Sequence, residues 1–174
     1  SACGATDARL RQRKTAAHNT VSVDGMDSSH VWSGFRVAQR ARVAHREVEP
    51  VVNNSVSFGA SHDGFKKQGI NCIHHRKWDV SPHRILFTDK IIGGFGSATG
   101  YLHLHPIVGI IDVSNEIIKL TIDSYFIDLV VSGASVSVAD TTWHPQFGVS
   151  NANKKLCFQF RNDSMVVDIG WRKK

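Results

Sequence analysis

Apolar and polar positions alternate along most of the chain. Leu156, Phe158 and Phe160 form one such series, and Met165, Val167, Ile169 and Trp171 form another. Successive side chains of a strand point to opposite faces, so each series marks a half-buried strand. Shorter runs repeat the signal at 56–60, 72–80, 84–92, 101–105, 107–112, 116–122, 125–131 and 135–139. Ser81-Pro82-His83 turns the chain between two of them, so residues 72–92 read as a hairpin. Asp24-Gly25, after the short strand Val21-Ser22-Val23, suits the positive φ of a tight turn. No convincing amphipathic helix and no repeat of fixed period interrupts the series. The expectation is an all-β fold, an antiparallel β-sandwich or barrel of about a dozen short strands.

One alternating run carries charge. From Phe35 to Val48, Phe35, Val37, Ala41 and Val43 fall on one face and Arg36, Arg40, Arg42 and Arg46 on the other. This is either the solvent face of a sheet or a guanidinium ladder for carboxylates or sulfates, because arginine pairs with planar anions through two hydrogen bonds.

Composition narrows the partners. The 174 residues fit a single domain spanning 1–174, with 1–17 as a basic N-terminal arm containing Arg9, Arg11, Arg13 and Lys14. The net charge of +6 favours polyanions: acidic polysaccharide, nucleic acid or anionic membrane. Nucleic acid is the weaker match, since no stacking-aromatic pattern accompanies the charge. No apolar run is long enough for a membrane helix, and Ser1–Asp7 has neither the basic nor the apolar part of a signal peptide. Cys3, Cys72 and Cys157 are odd in number and far apart, which suits neither a disulfide framework nor a cysteine zinc site.

The candidate chemistry lies in histidines. His62, His74, His75, His103 and His105 all fall between Phe58 and Pro106. His103 and His105, two apart on a strand, would point the same way and offer a ligand pair. The cupin pattern is excluded: Ser97 stands where its glycine belongs, and the first acids after His105 are Asp112 and Glu116. Two histidines that cap a strand and bond to backbone explain the pair without a metal. His74 and His75 face opposite ways, so at most one joins any site. Gly93-Gly94-Phe95-Gly96 does not fit a nucleotide-binding loop.

Arg13-Lys14-Thr15-Ala16-Ala17-His18-Asn19-Thr20-Val21-Ser22-Val23-Asp24-Gly25 resembles a signature of the heparinase II/III-like polysaccharide lyases. Trp32-Ser33-Gly34-Phe35-Arg36-Val37, Ser61-His62-Asp63-Gly64-Phe65, His75-Arg76-Lys77 and Tyr101-Leu102-His103-Leu104-His105-Pro106 follow in the family's order, so the resemblance covers about 8–171. It implies the C-terminal β-sandwich of an enzyme that cleaves uronate-containing polysaccharide, heparan sulfate- or alginate-like, by β-elimination. It also implies a periplasmic or secreted protein. The catalytic Asn, His and Tyr of the family belong to an N-terminal α/α toroid, and a further His to an H-x-H-x-D motif upstream of Ser1. The expectation is therefore a domain with no catalytic residue of its own and inactive alone. By the same resemblance His18 matches one ligand of a zinc or similar divalent cation. Its two partners are not in the chain, which implies a vacant or weak metal position. Arg13 and Asn19, beside it, are the candidate substrate-binding residues. The competing reading is a carbohydrate-binding or assembly module with no catalytic role. An open sheet edge would also let a second copy pair with the first.

Overall fold

The computed structural model describes residues 7–32, 36–114 and 116–174. Cys3, the start of the basic arm and residues 33–35 of the tryptophan motif lie outside the described residues.

Fourteen strands are found among the described residues. They are β1 (Val21–Val23), β2 (Val31–Trp32), β3 (Arg36–Val37), β4 (Val43–Val48), β5 (Val56–His62), β6 (Cys72–Ser81) and β7 (Arg84–Gly93). Then come β8 (Ala98–His103), β9 (Gly109–Ser114), β10 (Ile117–Ile122), β11 (Tyr125–Ser132), β12 (Ala134–Trp143), β13 (Asn151–Phe160) and β14 (Ser164–Lys173). One sheet has the order β1-β8-β13-β12, a larger one β4-β5-β6-β7-β14-β11-β10-β9, and β2 pairs with β3 alone. The fold is an all-β antiparallel sandwich, as the alternation predicts.

The alternating residues build the core. Val21, Val23, Leu156 and Phe158 of the smaller sheet are buried with Phe87, Ile91, Leu129, Val131, Met165 and Val167 of the larger one. Between the sheets, a β-carbon on Gly100 of β8 would lie 2.6 Å from Met165 Cε of β14. Glycine is what lets them meet there. The hairpin of β6 and β7 has its turn at residues 82–83, where the sequence puts it. Asp24 and Gly25 have φ of 49° and 71°, and the Met26 amide donates to Val23 O at 2.8 Å, closing the expected turn.

Three expectations are corrected. The arginine run is not one strand. Arg36 sits in β3, Arg40 and Arg42 in a connection, and Arg46 in β4 beside a register shift and a positive φ at His45. The connection's backbone bonds are scattered instead of following one neighbouring strand: Ala41 N–H donates to Ser29 Oγ and Arg42 N–H to Asp63 Oδ1, while Arg40 O accepts from Lys67 Nζ, Gln39 O from His30 N–H and Arg42 O from Asp63 N–H. No ladder forms. The basic arm contains a helix, α1 (Asp7–Gln12), with Asp7 in its first turn and Arg9 and Arg11 in its last, the order that suits the helix dipole. Finally, β8 ends at His103, so His105 lies beyond the strand and does not continue its alternation.

Gly64, in the Ser61–Phe65 motif, is held by close approach. A β-carbon there would lie 2.0 Å from Ser28 O, a backbone atom that cannot swing away. At Gly94 it would meet nothing within 4 Å. Gly64→Ala is therefore expected to cost about 2 kcal/mol or more, and Gly94→Ala within about 0.5 kcal/mol of nothing. Urea unfolding of the two variants measures the difference.

Candidate functional site

The motifs that lie apart in the sequence meet at one corner of the sandwich. After α1 the chain makes a 3-10 turn at Thr15–Ala17 and enters β1. Thr15 is buried; its N–H donates to Asp27 Oδ1 at 2.6 Å, and its Oγ1 accepts from Ser28 N–H at 2.7 Å. The Gln68 amide donates to Asp27 O and Gly64 O, fastening the same loop to the segment after β5. Asp24 Oδ1 accepts from the amides of Gly96 and Ser97, at 2.9 and 2.6 Å.

His18 and Asn19 stand at the lip of this corner, both exposed. Asn19 is tied from two sides. Its Oδ1 accepts from His103 N–H at 2.7 Å, and its backbone O accepts from Arg76 Nη1 at 2.6 Å. Ala16 O accepts from His103 Nε2 at 3.0 Å and from Lys155 Nζ at 3.1 Å. Burial pulls the His103 pKa down; the Ala16 carbonyl opposes this, while Lys155 and His18 add to it. The His105 Nδ1 accepts from Ile107 N–H, and its ring lies 4.6 Å from that of Trp143. His103 and His105 thus bond to backbone and form no ligand pair.

Behind the corner is a buried polar chain. Asp89 of β7 is 0% exposed. Arg76 of β6 grips it with two hydrogen bonds, Nε to Oδ1 at 2.6 Å and Nη2 to Oδ2 at 2.7 Å. His74 Nε2 adds a third bond to Oδ1 at 2.6 Å. Burial pushes the Asp89 pKa up, but the hydrogen bonds from His74 and Arg76 and the Arg76 charge outweigh it and hold the group below the usual carboxylate value. His74 Nδ1 lies 3.1 Å from His62 Nε2 of β5, and His62 Nδ1 accepts from Gly64 N–H at 3.3 Å. Burial first, and then His74, lower the His62 pKa from 6.5 to about 4, against the opposing pull of Asp63. Asp63 does not orient His62: its carboxylate serves Arg42 N–H and lies 3.3 Å from Lys67 Nζ.

The structure thus brings His18 and Asn19 together and places Arg13, half-buried, just before the 3-10 turn. Tyr101 and Tyr125 are separated, one in each sheet. The Tyr101 hydroxyl lies 3.1 Å from Ser22 Oγ, with Lys155 Nζ 4.7 Å from its ring. Burial raises the thiol pKa of Cys72 and, against the pull of Lys155, that of Cys157, which makes neither an activated nucleophile. A zinc site asks for three or four donors. Among the described residues, no group of three His, Cys, Asp or Glu side chains is arranged to hold a metal ion, at His18 or elsewhere. The residues present do not fit a self-contained ion site.

Two outcomes follow for the buried chain. Asp89→Asn is expected to cost about 3–5 kcal/mol, the usual effect of breaking a buried charge pair. A histidine whose folded pKa is depressed binds its proton first in the unfolded chain, so stability is lost as pH falls. For His62 that window runs from about 6.5 to about 4. His62→Gln, which keeps a donor toward His74 and has nothing to titrate, should flatten the pH dependence there. Urea midpoints measured across the window test both. The Asp89 contribution has the same sign, present at neutral pH and lost in stronger acid as the carboxylate protonates.

The fold recurs in solved structures. The heparan sulfate lyase HepC of Pedobacter heparinus superposes with a TM-score of 0.74 at 15% identity, covering 96% of this chain and 26% of that one. The protein described as "Heparinase III-BT4657 gene product, Methylated Lysines" gives a TM-score of 0.77 at 15% identity, covering 99% and 27%. The chain therefore spans about a quarter of the length of these two similar structures. No curated protein matches the sequence significantly. The sequence profile described as "Heparinase II/III-like, C-terminal" matches residues 2–172. That match takes in nearly every strand described above, and the chain belongs to the heparinase II/III-like C-terminal family.

Proposed function

We propose that the chain is the β-sandwich part of a periplasmic or secreted lyase acting on uronate-containing polysaccharide, heparan sulfate-like or alginate-like. The observation that carries this reading is the family match over residues 2–172. The fold shared with a heparan sulfate lyase at a TM-score of 0.74 agrees with it.

In β-elimination a base takes the proton from C5 of the uronate, and the C4–O bond breaks. The leaving oxygen gains a proton and a C4=C5 double bond forms. The C5–H becomes acidic only when the neighbouring carboxylate is offset by a cation or by donors. The part this chain plays is binding and orientation, with the base and acid supplied upstream. Its net charge of +6 attracts the polyanion. Arg13 offers a guanidinium, and Asn19 an exposed side chain, on the rim of the corner. His18 contributes a single imidazole donor to a zinc or similar ion whose other ligands lie elsewhere. The open edge of the larger sheet is where a second copy would pair. There β4 is exposed throughout, and Val48 is 79% exposed. A monomer by light scattering at high concentration would remove that element.

The test uses this chain and a version extended through an upstream toroid, with heparan sulfate, heparin and alginate, read by unsaturated-uronate absorbance. The expected result is turnover by the long form only, with the active polymer naming the substrate. The short chain should bind that polymer in a salt-sensitive way, and Arg13→Ala should weaken binding about tenfold, the worth of one charge-assisted hydrogen bond. Binding by the short chain with no turnover by either form would favour the carbohydrate-binding module. Turnover by the short chain would place the catalytic pair within these residues and overturn the division of labour.

A further inference from the structure

The buried chain has a direction. Gly64 N–H can only donate, so His62 must offer it a bare Nδ1 and carry its proton on Nε2. That proton points to His74 Nδ1, which must then be bare, and the His74 proton sits on Nε2 facing Asp89 Oδ1. Every donor finds an acceptor only when both imidazoles are neutral and both carry the proton on Nε2. A further proton on either ring sets two N–H groups against each other, at Gly64 or between the rings.

The far end of the chain is the corner. Asp89 holds Arg76 by two bonds, and the remaining arm of Arg76 reaches Asn19 O at 2.6 Å. Asn19 in turn receives His103 N–H. We infer that Arg76 is the positioning residue of the His18–Asn19 corner, kept in place by the one-way chain Gly64–His62–His74–Asp89, and that an added proton on that chain releases the corner. Its bearing on substrate rests on the function proposed above.

The groups that face His62 agree with this. His74 and Arg76 act on it from β6, Asp89 from β7, and Asp63 from the next position in the chain. Across the other side, β4 sets Val43 opposite it in register. Burial and the Arg76 charge resist a further proton, and a proton on one imidazole resists a proton on the other, while the two carboxylates favour one. The chain therefore stays in its directed form through mild acid and gives way at a pH of about 4.

Amide hydrogen exchange by NMR on the chain tests this without a ligand. The reporter is the His103 amide, which donates to Asn19 Oδ1, and the reference is the Val131 amide of β11, three strands from β6 in the larger sheet, which donates to Glu116 O. Arg76→Lys keeps a charge for Asp89 but cannot grip it doubly and also reach Asn19. At neutral pH it should lower His103 protection about tenfold or more, the worth of a charged hydrogen bond, with Val131 unchanged. In the wild type, His103 protection should drop relative to Val131 as pH falls to about 4, and the drop should vanish in His62→Gln. Unchanged His103 protection in Arg76→Lys, or a drop that persists in His62→Gln, overturns the inference. If Arg76→Lys does not fold, the wild-type profile and His62→Gln decide alone. Elution from a heparan sulfate column adds a separate arm. Earlier elution of Arg76→Lys supports the link to substrate. Unchanged elution with lost protection overturns that link and leaves the positioning role standing. Failure of the wild type to bind any acidic polysaccharide overturns the proposed function alone.

Discussion

A buried carboxylate is the constraint on which this end of the sandwich depends. Asp89 occupies a core position of β7, between Phe87 and Ile91 on the inner face, with no contact with solvent. An isolated charge there would be very costly, so its partners must be placed to hydrogen-bond accuracy. Arg76 and His74 meet that demand from the next strand, and meeting it fixes how β6 and β7 lie against each other. His62 carries the tie to β5, and the last arm of Arg76 carries it to Asn19, two residues before β1 of the other sheet. A hydrophobic cluster would hold the same strands with less demand on geometry. What the polar chain adds is a single register for four segments and a fixed place for the Asn19 backbone.

The ordered motifs gain a structural meaning from this. Thr15, Asp27, Ser28, Gly64 and Gln68 lock one loop; Asp24 locks the turn after β1 to residues 96–97; Asn19 locks to His103. These are junctions between segments far apart in the chain. Such junctions need specific side chains at specific places, which gives short motifs spaced along the chain. A motif here marks where the fold is fastened. At the rim, His18 and Asn19 are exposed and keep a surface for a ligand.

The sandwich was legible because its core alternates. Leu156 to Phe160 and Met165 to Trp171 state the inner face of β13 and β14 directly, and Asp24-Gly25 states its own turn. The arginine run misled for a physical reason. Its period is that of a strand, but its backbone bonds are divided among Ser29, His30, Asp63 and Lys67, and no local pattern reveals partners so scattered. The corner was legible by resemblance at His18 and Asn19, while its support was passed over. A signal was present in the strand registers. Phe87-Thr88-Asp89-Lys90-Ile91 puts a carboxylate in an apolar row, and His74-His75-Arg76-Lys77-Trp78 puts a histidine and an arginine in the facing one. A charge in a core row calls for a buried partner, and two adjacent rows supplied one.

The same geometry bears on what a β-domain of this kind can contribute to a polysaccharide cleft. Loops on a sheet edge usually hold a ligand loosely, because few contacts fix them. Here the rim residues are fixed from beneath by Arg76, itself held by the buried Asp89, and from the side by His103 and Lys155 through Ala16 O. Charge alone would attract a polyanion to any of the exposed lysines and arginines, weakly and without orientation. A rim tied to a buried carboxylate can present a donor at one place and one angle. That difference separates a surface that gathers polymer from one that sets a uronate in register with a base supplied by another part of the protein.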